Sequence, residues 1–146
     1  MKFAHMADCH IGSWRDPKLK DMSTLAFGKA IKKCIEENVD FILISGDLFN
    51  TSLPRLDNLK TVVSIFKKLK DKDIPVYIIP GSHDYSPSGK TMLDVLEEAG
   101  LFINVVKGED VDGKIKLNFT IDEKTGAKIT GMLGKRYSLE KEYYKN

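Results

Sequence analysis

Val39-Asp40-Phe41-Ile42-Leu43-Ile44-Ser45-Gly46-Asp47-Leu48-Phe49-Asn50 is the stretch on which the fold turns. Phe41 to Ile44 is a continuous apolar run, the pattern of a strand buried on both faces of a parallel sheet. The run stops at Ser45-Gly46, and the carboxylate of Asp47 follows at once. Open α/β sheets bind ligands beyond the carboxyl ends of their strands, so Asp47 stands where chemistry is expected. Two other stretches repeat the arrangement. Lys2 to Met6 leads to Asp8-Cys9-His10, and Ile74 to Pro80 leads to Gly81-Ser82-His83-Asp84.

Between the first two strands, Asp21 to Asn38 carries Phe27, Ala30, Ile31, Cys34 and Ile35, the apolar stripe of an amphipathic helix. Asp21 or Ser23 is expected to cap it. The unit reads as strand, helix, parallel strand. Pro54 suits the first turn of a second helix, in which Leu56, Leu59, Val62, Val63, Ile65, Phe66 and Leu69 form a wider apolar surface than one core contact needs. Gly81 to Lys90 reads as a loop, and Thr91 to Ala99 as a short helix stopped by Gly100. Beyond it, Phe102 to Val106, Lys114 to Thr120 and Ala127 to Met132 are expected as strands of an antiparallel section. Asp112-Gly113 and Thr125-Gly126 fall at its turns. Ser138 to Asn146 has the texture of a further helix start. The fold class is therefore α/β: parallel strands with crossover helices, then a few antiparallel strands.

The 146 residues suffice for one domain, and 42% hydrophobic with 30% charged residues is ordinary for a globular chain. A net charge of +2 selects no partner class. The lysines at 29, 32 and 33 and at 67, 68, 70 and 72 are explained by solvated helix faces. Lys135-Arg136 is too short a basic run to indicate nucleic acid. Cys9 and Cys34 make no disulfide framework, which fits a reducing cytoplasm. No stretch reaches the roughly 18 apolar residues of a membrane span, and no signal-peptide core precedes Asp8.

An Asp-x-His triplet alone is as well explained by a capping Asp and a surface His. Three successive strand ends carrying such residues are not. In an extended strand, Asp8 and His10 would face one side and Cys9 the other; His5 would face away, as a core or supporting histidine. Mixed nitrogen and oxygen donors favour a divalent ion such as manganese, iron or zinc over calcium. A carboxylate lying between two ligand groups suits a bridge between two ions roughly 3.5–4 Å apart, an arrangement used for phosphoester cleavage.

Asp8-x-His10, Gly46-Asp47 and Gly81-Ser82-His83-Asp84 resemble the first three blocks of the calcineurin-like metallophosphoesterase superfamily. The longer strings Lys2 to Gly12, Ser45 to Asn50 and Gly81 to Pro87 are similar to those of the SbcD-type nuclease subunit of DNA double-strand-break repair. The resemblance is close over residues 1 to 105. It implies an α/β/β/α sandwich, of which 1–146 would be the N-terminal portion. It also implies a manganese-dependent exo- and endonuclease acting on DNA ends and hairpins in the cytoplasm. The expected assembly is a homodimer with a zinc-hook ABC-type ATPase partner. By position, Asp8 and His10 would bind one Mn2+, Asp47 would bridge two, Ser82 would take the place of a metal-binding Asn, and His83 would be the catalytic histidine. Trp14, Arg15, Asn50, Tyr85 and Ser86 are candidates for DNA contact. Leu59, Met92 and Val95 are candidates for the dimer face, with ordinary core packing an equal alternative for each.

Three departures qualify the resemblance. Ser82 is a weaker ligand than an Asn carbonyl. Asn50 stands where some relatives have a second histidine. No histidine follows His83, whereas the family draws further metal ligands from later blocks. The 146-residue chain by itself is accordingly expected to be weakly active or inactive. Two other readings stay open: a phosphatase or phosphodiesterase for small substrates, and a catalytically incomplete segment that dimerises or binds a partner.

Overall fold

A computed structural model describes residues 1–133, apart from 17, 85, 87, 88, 112 and 113. Its main feature is a parallel sheet of β1 (Phe3–Met6), β2 (Phe41–Ser45), β3 (Val76–Ile79) and β4 (Ile103–Asn104), in sequential order. The register sets Phe3 to Met6 beside Phe41 to Ile44, and Ile42 to Ser45 beside Val76 to Ile79. Helices α1 (Met22–Glu36), α2 (Leu56–Lys70) and α3 (Met92–Glu98) provide the crossovers.

Alternation along each strand divides the core in two. Ile42, Ile44, Val76 and Ile78 face the helices, where they join Phe27, Ile31, Val62, Phe66, Leu69, Leu93 and Leu96 in one cluster. Phe27, Phe66 and Phe102 link the helices to the sheet by edge-on ring contacts with centroids 6.3 Å apart. Each such pair adds about 0.5–1.5 kcal/mol beyond the area it buries. Phe41, Tyr77 and Val105 face the other way and meet Ile129.

Each helix ends in the same manner. Asn38, Asp73 and Gly100 are left-handed (φ 51°, 56° and 64°), and the residue after each returns its amide to the last helical turn. This is the αL stop anticipated for Gly100 alone. The helix starts differ from expectation. Asp21 precedes α1 but makes no side-chain capping bond, and Ser23 Oγ accepts the amide of Gly12 instead. Pro54 lies before the N-cap Arg55, outside α2. The start of α3 is fixed by a reciprocal box between Thr91 and Asp94.

The C-terminal part also differs. The stretch expected to open an antiparallel section instead supplies β4, which runs parallel to β3. Lys114 to Thr120 is not one strand: it divides into β6 (Lys114–Lys116) and the start of β7 (Thr120–Ile121). An unexpected β5 (Glu109–Val111) pairs antiparallel with β6, and β7 pairs antiparallel with β8 (Lys128–Ile129). Asp122 organises the β7–β8 connection by accepting the amide and hydroxyl of Thr125. The expectations at Asp112-Gly113, Lys135-Arg136 and Ser138 to Asn146 lie outside the described residues. Among the described residues, no helix is long and apolar enough to cross a membrane.

Candidate metal centre

The chain does not stop being ordered where β1 and β2 end. Asp8 N donates to Gly46 O, His10 N to Asp47 O and Ile11 N to Leu48 O, at 3.2, 2.9 and 3.0 Å. The two loops therefore travel side by side past the sheet, carrying Asp8, His10 and Asp47 together. Their backbone is not the extended one assumed from alternation. Asp8, His10 and Asp47 are all left-handed, with φ of 53°, 43° and 50°. Asp and His tolerate this region better than most residues, but it still costs free energy.

Glycines make the close approach of the third strand end possible. A Cβ on Gly46, itself at φ 87°, would lie 3.0 Å from the Cα of Gly81. A Cβ on Gly81 would overlap the amide and carboxylate of Asp47, reaching 2.7 Å from its Cγ. Both positions must be bare for the β2 and β3 turns to abut. The reward is direct contact: the His83 amide donates to Asp47 Oδ1 at 2.8 Å.

His10, Asp47 and His83 each offer one ligand atom within 4.8 Å of the others. The two imidazoles meet edge to face, centroids 4.8 Å apart. Asp8 Oδ1 lies 3.6 Å and Asp47 Oδ2 3.9 Å from His10 Nε2. Three of the four residues expected to share the site thus cluster, and Asp8 lies beside His10 at their edge. His10 Nδ1 is buried with no hydrogen-bond partner, and Nε2 approaches carboxylates only beyond bonding distance. A half-buried imidazole with one nitrogen orphaned and the other facing two carboxylates, beside a second imidazole, fits a divalent cation. The His83 ring is held from its other side, because Nδ1 lies 2.9 Å from the carbonyl of Asn50 and can only donate to it. That bond leaves Nε2 as the working nitrogen.

Two residues near the site have displaced titrations. Burial pushes the Cys9 thiol up to about 11, helped by the charges of Asp8 and Asp84, so it stays a neutral thiol packed on the core. Burial also pushes the Asp84 carboxyl up. The amides of Gly81, Phe49 and Leu48 oppose that shift, and Asp47 adds to it.

The remaining sequence candidates are distributed as follows. Ser82 is half-buried on the turn between Gly81 and His83. Asn50 enters the site through its backbone carbonyl. Trp14 lines a small cleft with Gly12, Lys20, Arg55 and Asn58, which none of His10, Asp47 and His83 lines, and Arg15 is exposed. Ser86 is half-buried, and Tyr85 lies outside the described residues. Leu59 packs against the helix-side core. Met92 is half-buried and Val95 is exposed. His5 is neither core nor part of the cluster: it is exposed, with Nε2 2.6 Å from Ser45 Oγ across β1 and β2. Asp84, for which the sequence alone indicates no role, is buried directly behind His83. Its signal was a carboxylate directly after a glycine turn at a strand end.

A strand–loop architecture that brings Asp, His, Asp and His to the carboxyl edge of a parallel sheet offers the donor set of a divalent-metal phosphoesterase. A family profile described as calcineurin-like phosphoesterase matches residues 1–144, and the chain belongs to that family. Within it, the chain is similar to archaeal proteins named DNA double-strand break repair protein Mre11. The protein of Archaeoglobus fulgidus is 35% identical over 120 residues, covering 77% of this chain and 27% of that protein. The one from Methanocaldococcus jannaschii is 34% identical over 116 residues, 76% of this chain and 31% of its own length. The one from Saccharolobus solfataricus is 34% identical over 126 residues, 77% and 32% respectively. The chain thus spans about a quarter to a third of the length of these relatives.

Proposed function

We propose that the whole protein is a metal-dependent nuclease that processes DNA ends in double-strand-break repair. The observation that carries this reading is the meeting of His10, Asp47 and His83, with Asp8 beside His10 and the buried Nδ1 of His10 left without a protein partner. The similarity to break-repair proteins supports DNA as the substrate over small phosphodiesters.

In this reading Asp8, His10 and Asp47 would hold divalent ions, Ser82 would contribute weakly, and manganese would be the physiological metal. Ions held there would polarise a phosphoryl oxygen and make a water nucleophilic near neutral pH. The chain's own part is positional. Asp47 presents one oxygen toward His10 and receives the His83 amide on the other. The Asn50 carbonyl orients the His83 ring, so that Nε2 can stabilise developing charge or deliver a proton to the leaving oxygen. Trp14, Arg15, Asn50, Tyr85 and Ser86 are assigned to DNA contact. Leu59, Met92 and Val95 are assigned to a homodimer face, and of these Val95 is the most outward. A zinc-hook ABC-type ATPase is the expected partner, in the cytoplasm.

The test is Asp47→Asn in the whole protein with Mn2+, assayed on hairpin DNA, blunt DNA and a simple aryl phosphodiester. Cleavage of DNA is expected to fall at least about 100-fold. Undiminished cleavage removes the metal role of Asp47. A wild-type preference for the aryl ester over both DNAs favours the small-substrate enzyme.

A further inference from the structure

The three strand ends of the site are not joined alike. The loops after β1 and β2 are stitched by backbone bonds from Asp8 to Ile11, and Asn50 N returns to Ile11 O. The loops after β2 and β3 have no such ladder. Their register ends at Ser45 beside Ile79, and among the described residues no backbone–backbone bond joins 46–50 to 80–84. Yet these are the segments that must hold Asp47 and His83 in contact.

Asp84 takes the place of the missing ladder. It is 1% exposed. Its Oδ2 accepts the Gly81 amide at 3.0 Å and the Leu48 amide at 3.3 Å, and its Oδ1 accepts the Phe49 amide at 3.3 Å. One side chain therefore binds its own turn and the backbone just after Asp47, some 35 residues earlier in the chain. A carboxylate is suited to this because it accepts on both oxygens and donates on neither. An asparagine would turn an N–H toward one of the three amides. Burial without those three partners would be costly, so carboxylate and turns specify each other.

We propose that Asp84 is a positioning residue of the metal centre: by tying the Leu48 and Phe49 amides to that of Gly81, it sets the separation of the Asp47 carboxylate from the His83 ring. The inference rests on the metal-centre reading above. It assigns Asp84 no contact with metal or substrate. Its effect passes through ligands that other residues carry. The His83 amide on Asp47 Oδ1 and the His83 ring on the Asn50 carbonyl also cross between the turns, and Asp84 anchors the backbone from which both contacts are made.

The experiment compares Mn2+ binding by calorimetry in the whole protein for wild type, Asp84→Asn and Tyr77→Phe. The last variant is a control that perturbs the opposite face of the sheet. Circular dichroism establishes that each is folded. Folded Asp84→Asn is expected to bind Mn2+ about 10- to 100-fold more weakly, and Tyr77→Phe like wild type. Wild-type affinity in Asp84→Asn overturns the proposal, as does an equal loss in the control. Should Asp84→Asn fail to fold, hydrogen exchange in metal-free wild type decides. The Leu48, Phe49 and Gly81 amides are expected to be protected like those of β2, and exchange at the rate of exposed loops overturns the tie. Failure of wild type to bind Mn2+ sinks the metal-centre reading, while the exchange measurement still judges the tie.

Discussion

In the four-stranded sheet, Ile42, Ile44 and Ile78 are at most 1% exposed and share one core with all three helices, whereas in the strands after it Val111 and Ile121 are 47% and 58% exposed. The first region is a continuous packed body whose strand ends converge on the candidate metal centre. The second is a set of two- and three-residue strands that meets the first through Ile129 and a few polar ties, among them Tyr77 hydroxyl to Asp122 at 2.7 Å, Lys124 to Asp40 at 3.8 Å and the Gly131 amide to the Val105 carbonyl at 3.0 Å. The candidate centre sits on the densely packed body, and the later strands cover the sheet face that the helices leave open. Substitutions in the two regions should therefore separate cleanly.

The sharpest separation is expected from Gly81→Ala. The added methyl collides with Asp47, so Mn2+ affinity in calorimetry should fall by about 100-fold or more. Gly126→Ala, in the open turn after β7, should leave it unchanged. Equal effects would dissolve the contrast. Next comes Ile78→Ala, which opens a cavity in the helix-side core and should cost about 2–5 kcal/mol in urea denaturation. Ile121→Ala should stay within about 0.5 kcal/mol.

Tyr77→Phe is a smaller change, about 1–2 kcal/mol, because Asp122 keeps the Thr125 donors. Its signature is in pH. Burial first, then the hydrogen bond to Asp122, raises the Tyr77 hydroxyl well above its usual value. A tyrosine that holds its proton in the fold but loses it more readily when unfolded stabilises fully below the unfolded value, near 10. That contribution disappears as pH climbs through the folded value. Asp122 runs the other way. Burial pushes it up, but the Thr125 and Tyr77 donors outweigh that and hold it below the usual range. Its contribution is present above the unfolded value, near 4, and is lost on acidification. Wild type should therefore lose stability at alkaline pH, and Tyr77→Phe should lose less over the same interval. Parallel profiles would deny the tie any role.

The same contrast explains what could be read from the residues alone. The 41–44 run, the α1 stripe and the glycine-ended strand tips each combine a strong period with a hard stop, and the structure places all three strands and helices within two residues of expectation. Phe102 to Val106 was assigned to the wrong kind of section because a short apolar run carries no information on strand direction; packing against β3 decides it. Lys114 to Thr120 alternates strictly between polar and apolar residues, yet Lys114–Lys116 pairs with β5 and Thr120–Ile121 with β8, because a period of two does not say which partner a strand takes. In the site, residue identities were legible but their mechanics were not. Alternation placed Asp8 and His10 on one side for a reason the backbone does not obey. The glycine turn marks Asp84 as a strand-end carboxylate, but its partnership with amides some 35 residues away is a long-range contact that the local pattern does not specify.

Left-handed backbone at Asp8, His10 and Asp47 has a wider consequence. Glycine would relax all three positions, so a search guided by thermal robustness alone would be drawn toward replacing the very groups that give the molecule a purpose. Here durability and usefulness pull on the same atoms in opposite directions, and any effort to harden this protein has to begin elsewhere.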